Sequence, residues 1–444
     1  MSSESQPLRQ IGIYRNLPTF DPNIRGLKAI ICGANGISGF NTLRALLDSP
    51  DRWSSIFTLS RSGLSDEQWG LIEPDLRSRV RHVPVNLSSS PQDIGATLKE
   101  HNVSADYVFY YTYAQPRNEG MSGMDPAMAD KLCEANVPLL DNFLQALEQV
   151  NLIPKRILIQ TGGKNYGMHI GRIRLPAVES DPQPRHLLPN FYYPMEDSLK
   201  EFCKQHPETH WNVIRPAGII GVTHNSPLNA FYPFAVYAAV QAHKNEPLYF
   251  GSDFQSWQFE TCYSTARLTG YLSEWAVLED KCADQAFNAQ DGAGLTWDRF
   301  YEELARWFGV KHGVVGPCLE DEKFSNQQLA GDKKSPLGYG PPATLRTSHK
   351  LEDWFKDPVN NSAWEEIMQK NPEIKNNVFQ DGSMDDMMHD FAFIAFGNLA
   401  VNKLRRFGFC GFVDSLESLY EMYQELHSFG MLPKLKAESA RPLI

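Results

Sequence analysis

From residue 27 the chain alternates between short apolar runs and amphipathic stretches. The first run, Leu27 with Ala29–Cys32, has the pattern of a buried strand. It breaks into Gly33-Ala34-Asn35-Gly36-Ile37-Ser38-Gly39, after which Phe40, Leu43, Leu46 and Leu47 recur at helical spacing. Five further runs read as strands: Ile56–Ser60, Val80–Val85, Tyr107–Tyr111, Arg156–Gln160 and Trp211–Arg215. Tyr107–Tyr111 is apolar on both faces, as a central parallel strand requires. Between the runs the spacing predicts helices. One covers Lys131–Glu148, with Leu132, Leu140, Phe143 and Leu147 on one face. Another opens at Asn190–Pro194, with Met195, Leu199 and Phe202 inward. This alternation predicts an α/β fold with a doubly wound parallel sheet. Beyond residue 215 the texture changes. Aromatic residues crowd Phe231–Phe259, and aromatic helices are predicted over Trp297–Phe308 and Asp414–Leu426.

Strand, glycine turn and helix in that order make a phosphate site. A helix start leaves backbone N–H groups unpaired, and its dipole favours an anion there. Glycines let the backbone approach a pyrophosphate and take angles closed to other residues. The expected contacts are Gly33, Asn35, Gly36, Ile37 and Gly39. The spacing is G-x-x-G-x-x-G, a variant of the simplest dinucleotide fingerprint. The fold class is therefore a Rossmann-type domain over residues 27–215. An N-terminal arm (1–26) precedes it. A smaller, mostly helical substrate-binding region (216–444) follows, with an inserted loop near 317–350 that is rich in Gly, Pro and charge. Residues 168–190 hold four prolines and read as a long loop.

The second strand ends at Ser60-Arg61, where such a fold reads the ribose. No acid stands there to bind a 2′-hydroxyl. A guanidinium matches the oxygens of a 2′-phosphate, so the expected cofactor is NADPH. A solvated surface arginine is the alternative reading of Arg61. Ligands of parallel sheets bind at the carboxyl ends of the strands. Further cofactor contacts are accordingly expected at Asn86 and Leu87, at Thr112, Tyr113 and Ala114, at Gln160, Thr161 and Gly162, and at Pro216, Gly218 and Ile219. The Asn86 amide could reach an adenine edge, or Ser88 or Ser89 beside it could simply cap the next helix, and Asn136 could be a buried polar link.

Composition narrows the partners. The 444 residues suffice for a large core, and the net charge of −11 argues against nucleic acid or an anionic membrane. A small-molecule substrate is expected; a homodimer is compatible with the sequence. The N-terminal MSSESQPLRQ has no apolar stretch of the kind a secretory signal needs. The longest nearly apolar run, Phe231–Ala242, contains Pro233 and is too short to span a bilayer. Seven scattered cysteines without a C-x-x-C pair read as reduced, buried thiols, which suggests a cytoplasmic protein. No closely spaced His and Cys ligands occur, His169 with Glu179 included, so no metal is expected.

Several stretches together resemble one family. They are Gly33–Gly39, Ser60-Arg61, Tyr111–Ala114, Gln160–Tyr166, Asn190–Tyr193 with Glu196-Asp197, Arg215-Pro216, Phe287-Asn288 and Gly408–Asp414. In order, they resemble the progesterone 5β-reductase/iridoid synthase group of atypical short-chain dehydrogenases/reductases. An ordinary member of the wider superfamily carries Tyr-x-x-x-Lys on one helix. Here Glu196 stands four places after Tyr192, and Asp197 four after Tyr193. The family takes its lysine and tyrosine from separate motifs, which fall on Lys164 and Tyr192. The resemblance implies NADPH-dependent reduction of a carbon–carbon double bond conjugated to a carbonyl, on a terpenoid, steroid-like or other secondary metabolite. Departures are Tyr113 for the usual Trp, Asn86 for Asp, Ser264-Thr265 for Ser-Asp, and Gly163 and Asn165 around Lys164 where Arg and His are usual.

That reaction needs donors where negative charge develops on the carbonyl oxygen. A phenol with a nearby ammonium suits it, because the positive charge lowers the phenol pKa. Tyr192 is the expected oxyanion donor, a proton source and a cofactor contact, with Lys164 supporting it and contacting the nicotinamide ribose. Tyr113, Tyr166, Asn229 and Tyr232 are candidate substrate contacts, although buried tyrosines more often only pack. Two other classes stay open at this point: a carbonyl reductase, epimerase or dehydratase on the same fold, and a non-catalytic NADPH-binding regulator.

Overall fold

The computed structural model describes residues 7–116, 126–224, 229–375, 377–380 and 397–443. Seven parallel strands form the central sheet: β1 (Leu27–Cys32), β2 (Trp53–Ser60), β3 (Val80–Pro84), β4 (Tyr107–Tyr110), β5 (Arg156–Gln160), β6 (His210–Arg215) and β7 (Gln285–Asn288). Their spatial order is β7-β6-β5-β4-β1-β2-β3. The order reverses between β1 and β4, which opens a crevice at the carboxyl ends of those two strands.

The helices that matter for the site are α1 (Ile37–Leu47), α2 (Pro91–Glu100), α3 (Ala129–Gln149), α4 (Tyr192–Gln205), α5 (Tyr232–Lys244), α6 (Ala266–Leu278), α7 (Trp297–Phe308), α8 (Asn402–Phe407) and α9 (Ser415–Ser428). Successive residues of a strand face opposite ways. In β1, Ala29 and Ile31 therefore join a core with Phe40 of α1 and Trp275 of α6. Ile30 and Cys32 join the opposite core, with Leu140 and Phe143 of α3 and Leu199 of α4. Both faces of the sheet are covered, as the doubly apolar strands require.

The alternating pattern ends the sheet at residue 215, yet a seventh strand follows some seventy residues later. β7 pairs in register with β6, Phe287 against Ile214 and Asn288 against Arg215. It has four residues, too few for periodicity to register. The region near 317–350 contains an antiparallel pair, Ser325–Gln328 with Thr344–Thr347. The N-terminal arm forms a hairpin of Arg9–Ile11 with Tyr14–Leu17. Tyr14 and Leu17 enter the main core, and Tyr14 bonds Glu421 of α9 at 3.1 Å. All seven cysteines are free thiols, but only Cys32, Cys203, Cys262 and Cys282 are buried; Cys133 and Cys318 are half-buried and Cys410 is exposed. No helix among the described residues is long and apolar enough to cross a membrane.

Candidate active site

The glycine turn sits in the crevice. Gly33 has φ +75°, and a Cβ there would lie 3.0 Å from the backbone nitrogen of Thr112 at the end of β4. A Cβ on Gly39 would lie 2.3 Å from the Gly33 carbonyl oxygen, so α1 could not start so close to the turn. Gly36 caps α1 without any side-chain bond, leaving the helix start open for an anion. The carbonyl of Asn35 is held from two sides, by the Thr223 hydroxyl at 2.7 Å and the Gln68 amide at 3.2 Å. No local signal ties either residue to Asn35, although Gln68 also closes a capping box with Ser65. They lie 188 and 33 positions from Asn35, and only closure of the fold brings them there. Ile37 opens the helix, against Gly221.

Arg61 follows β2. It is exposed, and its guanidinium has no bonding partner among the described residues. Ser60 bonds the carbonyl of Ser62 at 2.7 Å. Asn86 caps its own turn: its side-chain oxygen accepts from the backbone and hydroxyl of Ser88 at 3.2 and 2.9 Å, and the cap of α2 is Ser90 rather than Ser88 or Ser89. Leu87 is buried in the second core. The carboxyl end of β4 is fixed by Asn136 of α3, which bonds both the N–H and the carbonyl of Ala114 at 2.8 Å. At the end of β5, Gln160 donates to Ser38 of α1 at 2.7 Å. Its own side-chain oxygen and the Thr161 hydroxyl are buried without partners. Orphaned polar atoms of this kind need an explanation, and here they lie beside the open turn. A dinucleotide fits this lining: an uncapped helix start, a glycine cradle and unpartnered polar atoms at the strand ends.

Lys164 and Tyr192 come from different elements. Lys164 lies in a short turn, Gly163–Tyr166, that continues β5 and is tied to β6 by the Gly163 N–H on the Pro216 carbonyl, 3.0 Å. Tyr192 is the first residue of α4, and its hydroxyl lies against Gly162: a Cβ there would stand 3.2 Å from it. Asn190 joins the two. Its amide donates to the Lys164 carbonyl at 2.9 Å, and its oxygen accepts the Tyr192 N–H at 3.0 Å. Tyr193 adds a bond from its hydroxyl to the Asn165 carbonyl, 3.2 Å.

Burial sets the protonation states. It lowers the Lys164 ammonium from 10.5 to about 8 and raises the Tyr192 phenol well above its ordinary range, so burial overrides the lowering expected from a nearby ammonium. His169, just past the turn, is pulled down to about 3 by burial and by the neighbouring Lys164 charge. Its Nδ1 is buried with no partner, a feature that nothing in its sequence setting announces. The positions that would carry the lysine of Tyr-x-x-x-Lys do other work. Glu196 pairs with Arg215 at 2.9 Å, and Asp197 with Arg185 at 2.6 Å.

The candidate substrate residues divide. Tyr113 packs on Phe191, 5.8 Å between ring centres, close enough to Tyr192 for their phenols to influence each other. Tyr166 is 3% exposed and its hydroxyl is committed to Asn288 at 2.5 Å. Asn229 accepts from the N–H groups of Phe231 and Tyr232 at the start of α5. Tyr232 lies in the main core with its hydroxyl on the Met431 carbonyl. The geometry thus gives the last three packing and capping contacts. Gly218, at φ +56°, packs on Tyr263, and Ile219 pairs with Ser264. Among the described residues no three His, Cys, Asp or Glu gather as a metal site.

The profile of the PRISE-like Rossmann-fold domain matches residues 29–323. The chain belongs to the PRISE-like family. Among its relatives, the short chain dehydrogenase gsfE of Penicillium aethiopicum is 27% identical, over 91% of this chain and 99% of that one. An (S)-8-oxocitronellyl enol synthase of Camptotheca acuminata is also 27% identical, over 91% and 93%. The 3-oxo-Delta(4,5)-steroid 5-beta-reductase of Arabidopsis thaliana is 24% identical, over 91% and 93%. Among solved structures, the Bordetella bronchiseptica enzyme WbmG in complex with NAD superposes with a TM-score of 0.52 at 13% identity, covering 91% of this chain and 96% of that one. That likeness concerns the fold. This PRISE-like chain is an oxidoreductase of the short-chain dehydrogenase/reductase type, built for a nicotinamide cofactor.

Proposed function

We propose that the chain is an NADPH-dependent reductase of a carbon–carbon double bond conjugated to a carbonyl. The observation that carries the reading is the Asn190 bridge, which sets Lys164 and Tyr192 from separate elements into one frame at the carboxyl ends of β5 and β6. Two relatives are named for an enol synthase and a steroid 5-beta-reductase, which supports the same class of substrate. When bound, the nicotinamide supplies hydride. The residues of the chain meet the charge that develops. The Tyr192 hydroxyl stays protonated at neutral pH, since burial raises its pKa, and so can donate to an enolate oxygen. Lys164 supports that donor and the ribose. Arg61, exposed and without a partner, favours a 2′-phosphate over a free hydroxyl. The free cysteines fit the reducing cytoplasm.

The test is NADPH oxidation against a panel of enones, enals and saturated ketones, with the products identified. Enones and enals should be consumed, with saturation of the double bond. Tyr192→Phe and Lys164→Ala should each lose about 10²–10³ in rate. Reduction of saturated ketones alone would make the enzyme a carbonyl reductase. Cofactor binding without turnover on any member of the panel would make it a sensor. Full activity in both variants would remove the site assignment.

A further inference from the structure

A cavity of about 810 Å³, lined by neither Lys164 nor Tyr192, opens between α4, β6, β7 and α8. Its volume falls within the range of small-molecule sites, roughly 300–1,000 Å³. Four cations line it, Lys200, Arg215, Lys403 and Arg406, against the carboxylates of Glu179, Glu196 and Asp284. That is an excess of positive charge in a chain of net charge −11.

The carboxylates are already engaged. Glu196 holds Arg215 at 2.9 Å and Lys200 at 3.3 Å. Asp284 accepts from the Trp211 N–H at 3.1 Å and faces His210 at 2.8 Å. Glu179 accepts the Asn288 N–H at 2.8 Å. The cations of α8 are less satisfied. The Lys403 ammonium donates to one backbone carbonyl, that of Ala286, at 2.9 Å, and lies 5.2 Å from the Phe287 ring centre. The Arg406 guanidinium is exposed, with no ion pair or hydrogen bond among the described residues. Trp211 and Phe407 give the cavity aromatic walls.

A planar guanidinium with open donors, next to an ammonium, suits a carboxylate or phosphate, and the aromatic walls suit an apolar body attached to it. We propose that this cavity is a second binding site, for a small organic anion. Lys403 and Arg406 hold its charged group, and Trp211 and Phe407 flank its apolar part.

Phenyl phosphate, benzoate and inorganic phosphate serve as probes, titrated calorimetrically into the full chain with NADPH present in excess to block the cofactor turn. At least one aryl anion should bind saturably, one per chain. Comparing phenyl phosphate with benzoate tells which charged group is taken. Binding should weaken about tenfold or more in Lys403→Gln/Arg406→Gln, since each lost charge-assisted bond is worth about that factor. Arg406→Gln alone, at an exposed position, gives the same reading without touching the Lys403–Ala286 bond. Trp211→Leu should weaken the aryl anions and leave inorganic phosphate unchanged. Three results would overturn the proposal: no saturation at millimolar concentration, unchanged affinity in the double variant, or inorganic phosphate binding as tightly as the aryl anions.

Discussion

The side-chain amide of Asn190 donates a 2.9 Å hydrogen bond to the backbone carbonyl of Lys164. Its oxygen meanwhile accepts the N–H of Tyr192, so one buried carboxamide couples the lysine turn to the tyrosine helix. Asn190→Ala removes both bonds: the Lys164 carbonyl keeps the Gly167 N–H at 3.0 Å, and the Tyr192 N–H loses its side-chain acceptor. Small misplacements of reacting groups are costly; about 1 Å can lose roughly a hundredfold in rate. We expect kcat to fall about ten- to a hundredfold while the affinity for cofactor holds. Asn190→Asp keeps the acceptor for Tyr192 and loses the donor to Lys164, so it should fall between. Steady-state kinetics beside thermal melts decide the matter. A kcat loss that merely tracks unfolding would reduce Asn190 to a structural residue.

Gly39 and Gly36 should fail in different ways. A Cβ on Gly39 meets the Gly33 carbonyl oxygen at 2.3 Å, a backbone atom that cannot move aside without shifting the turn. Gly39→Ala should destabilise the fold by about 1–3 kcal/mol, as overpacking does, and abolish cofactor binding. Gly36 has φ −82°, and a Cβ there meets nothing closer than 3.5 Å. Gly36→Ala should fold normally and still bind the dinucleotide poorly, because the methyl group stands at the open helix start. Chemical denaturation and cofactor fluorescence separate the two effects. Equal stability losses in both variants would contradict the close-approach argument.

These glycines were legible in the sequence because a strand–turn–helix is a local object. So were six of the seven sheet strands, from apolar runs within a residue or three of their observed limits. What escaped is long-range. Thr223 and Gln68 reach Asn35 only after the chain has folded, and nothing in their local spacing points to that contact. β7 is too short to show a period, and it is held by its register with β6 rather than by its own pattern. Asn229 and Tyr232 sit in an aromatic stretch that can face either the cleft or the core. Composition cannot distinguish a cleft from a core, and α5 turns Tyr232 inward. Asn136 is buried, and its two bonds to Ala114 make it the polar link between α3 and the end of β4.

Arg61 should decide between the two nicotinamide cofactors. It is exposed beyond the end of β2, with no acid at the ribose position. Arg61→Ala should weaken NADPH by about ten- to a hundredfold, the worth of one or two charge-assisted bonds, and leave NADH nearly unchanged. Arg61→Glu should go further and favour NADH, since a carboxylate repels a 2′-phosphate and accepts from a 2′-hydroxyl. Affinities for both cofactors, measured at one fixed salt concentration, give the ratio. An unchanged ratio in both variants would leave Arg61 as a solvated surface residue.

Lys164 makes stability and activity depend on pH in opposite senses. Burial lowers its pKa from 10.5 to about 8 in the folded chain. Between those two values the unfolded chain holds a proton that the folded chain has lost, so stability rises with pH across that window. Below about 8 both states are charged, and the folded state bears the full cost of burying the ammonium. Lys164→Met removes that cost. The variant should be more stable than the parent at pH 7, by up to about 3 kcal/mol, with the gain fading towards pH 10.5. Catalysis runs the other way, because the proposed support for Tyr192 is the charged form. The parent kcat/KM, which reports the free enzyme, should decline as pH rises through about 8. Urea melts at pH 7 and pH 10 with a kcat/KM profile test both halves. A stability difference that is the same at the two pH values would mean that Lys164 is ordinarily solvated in the folded chain.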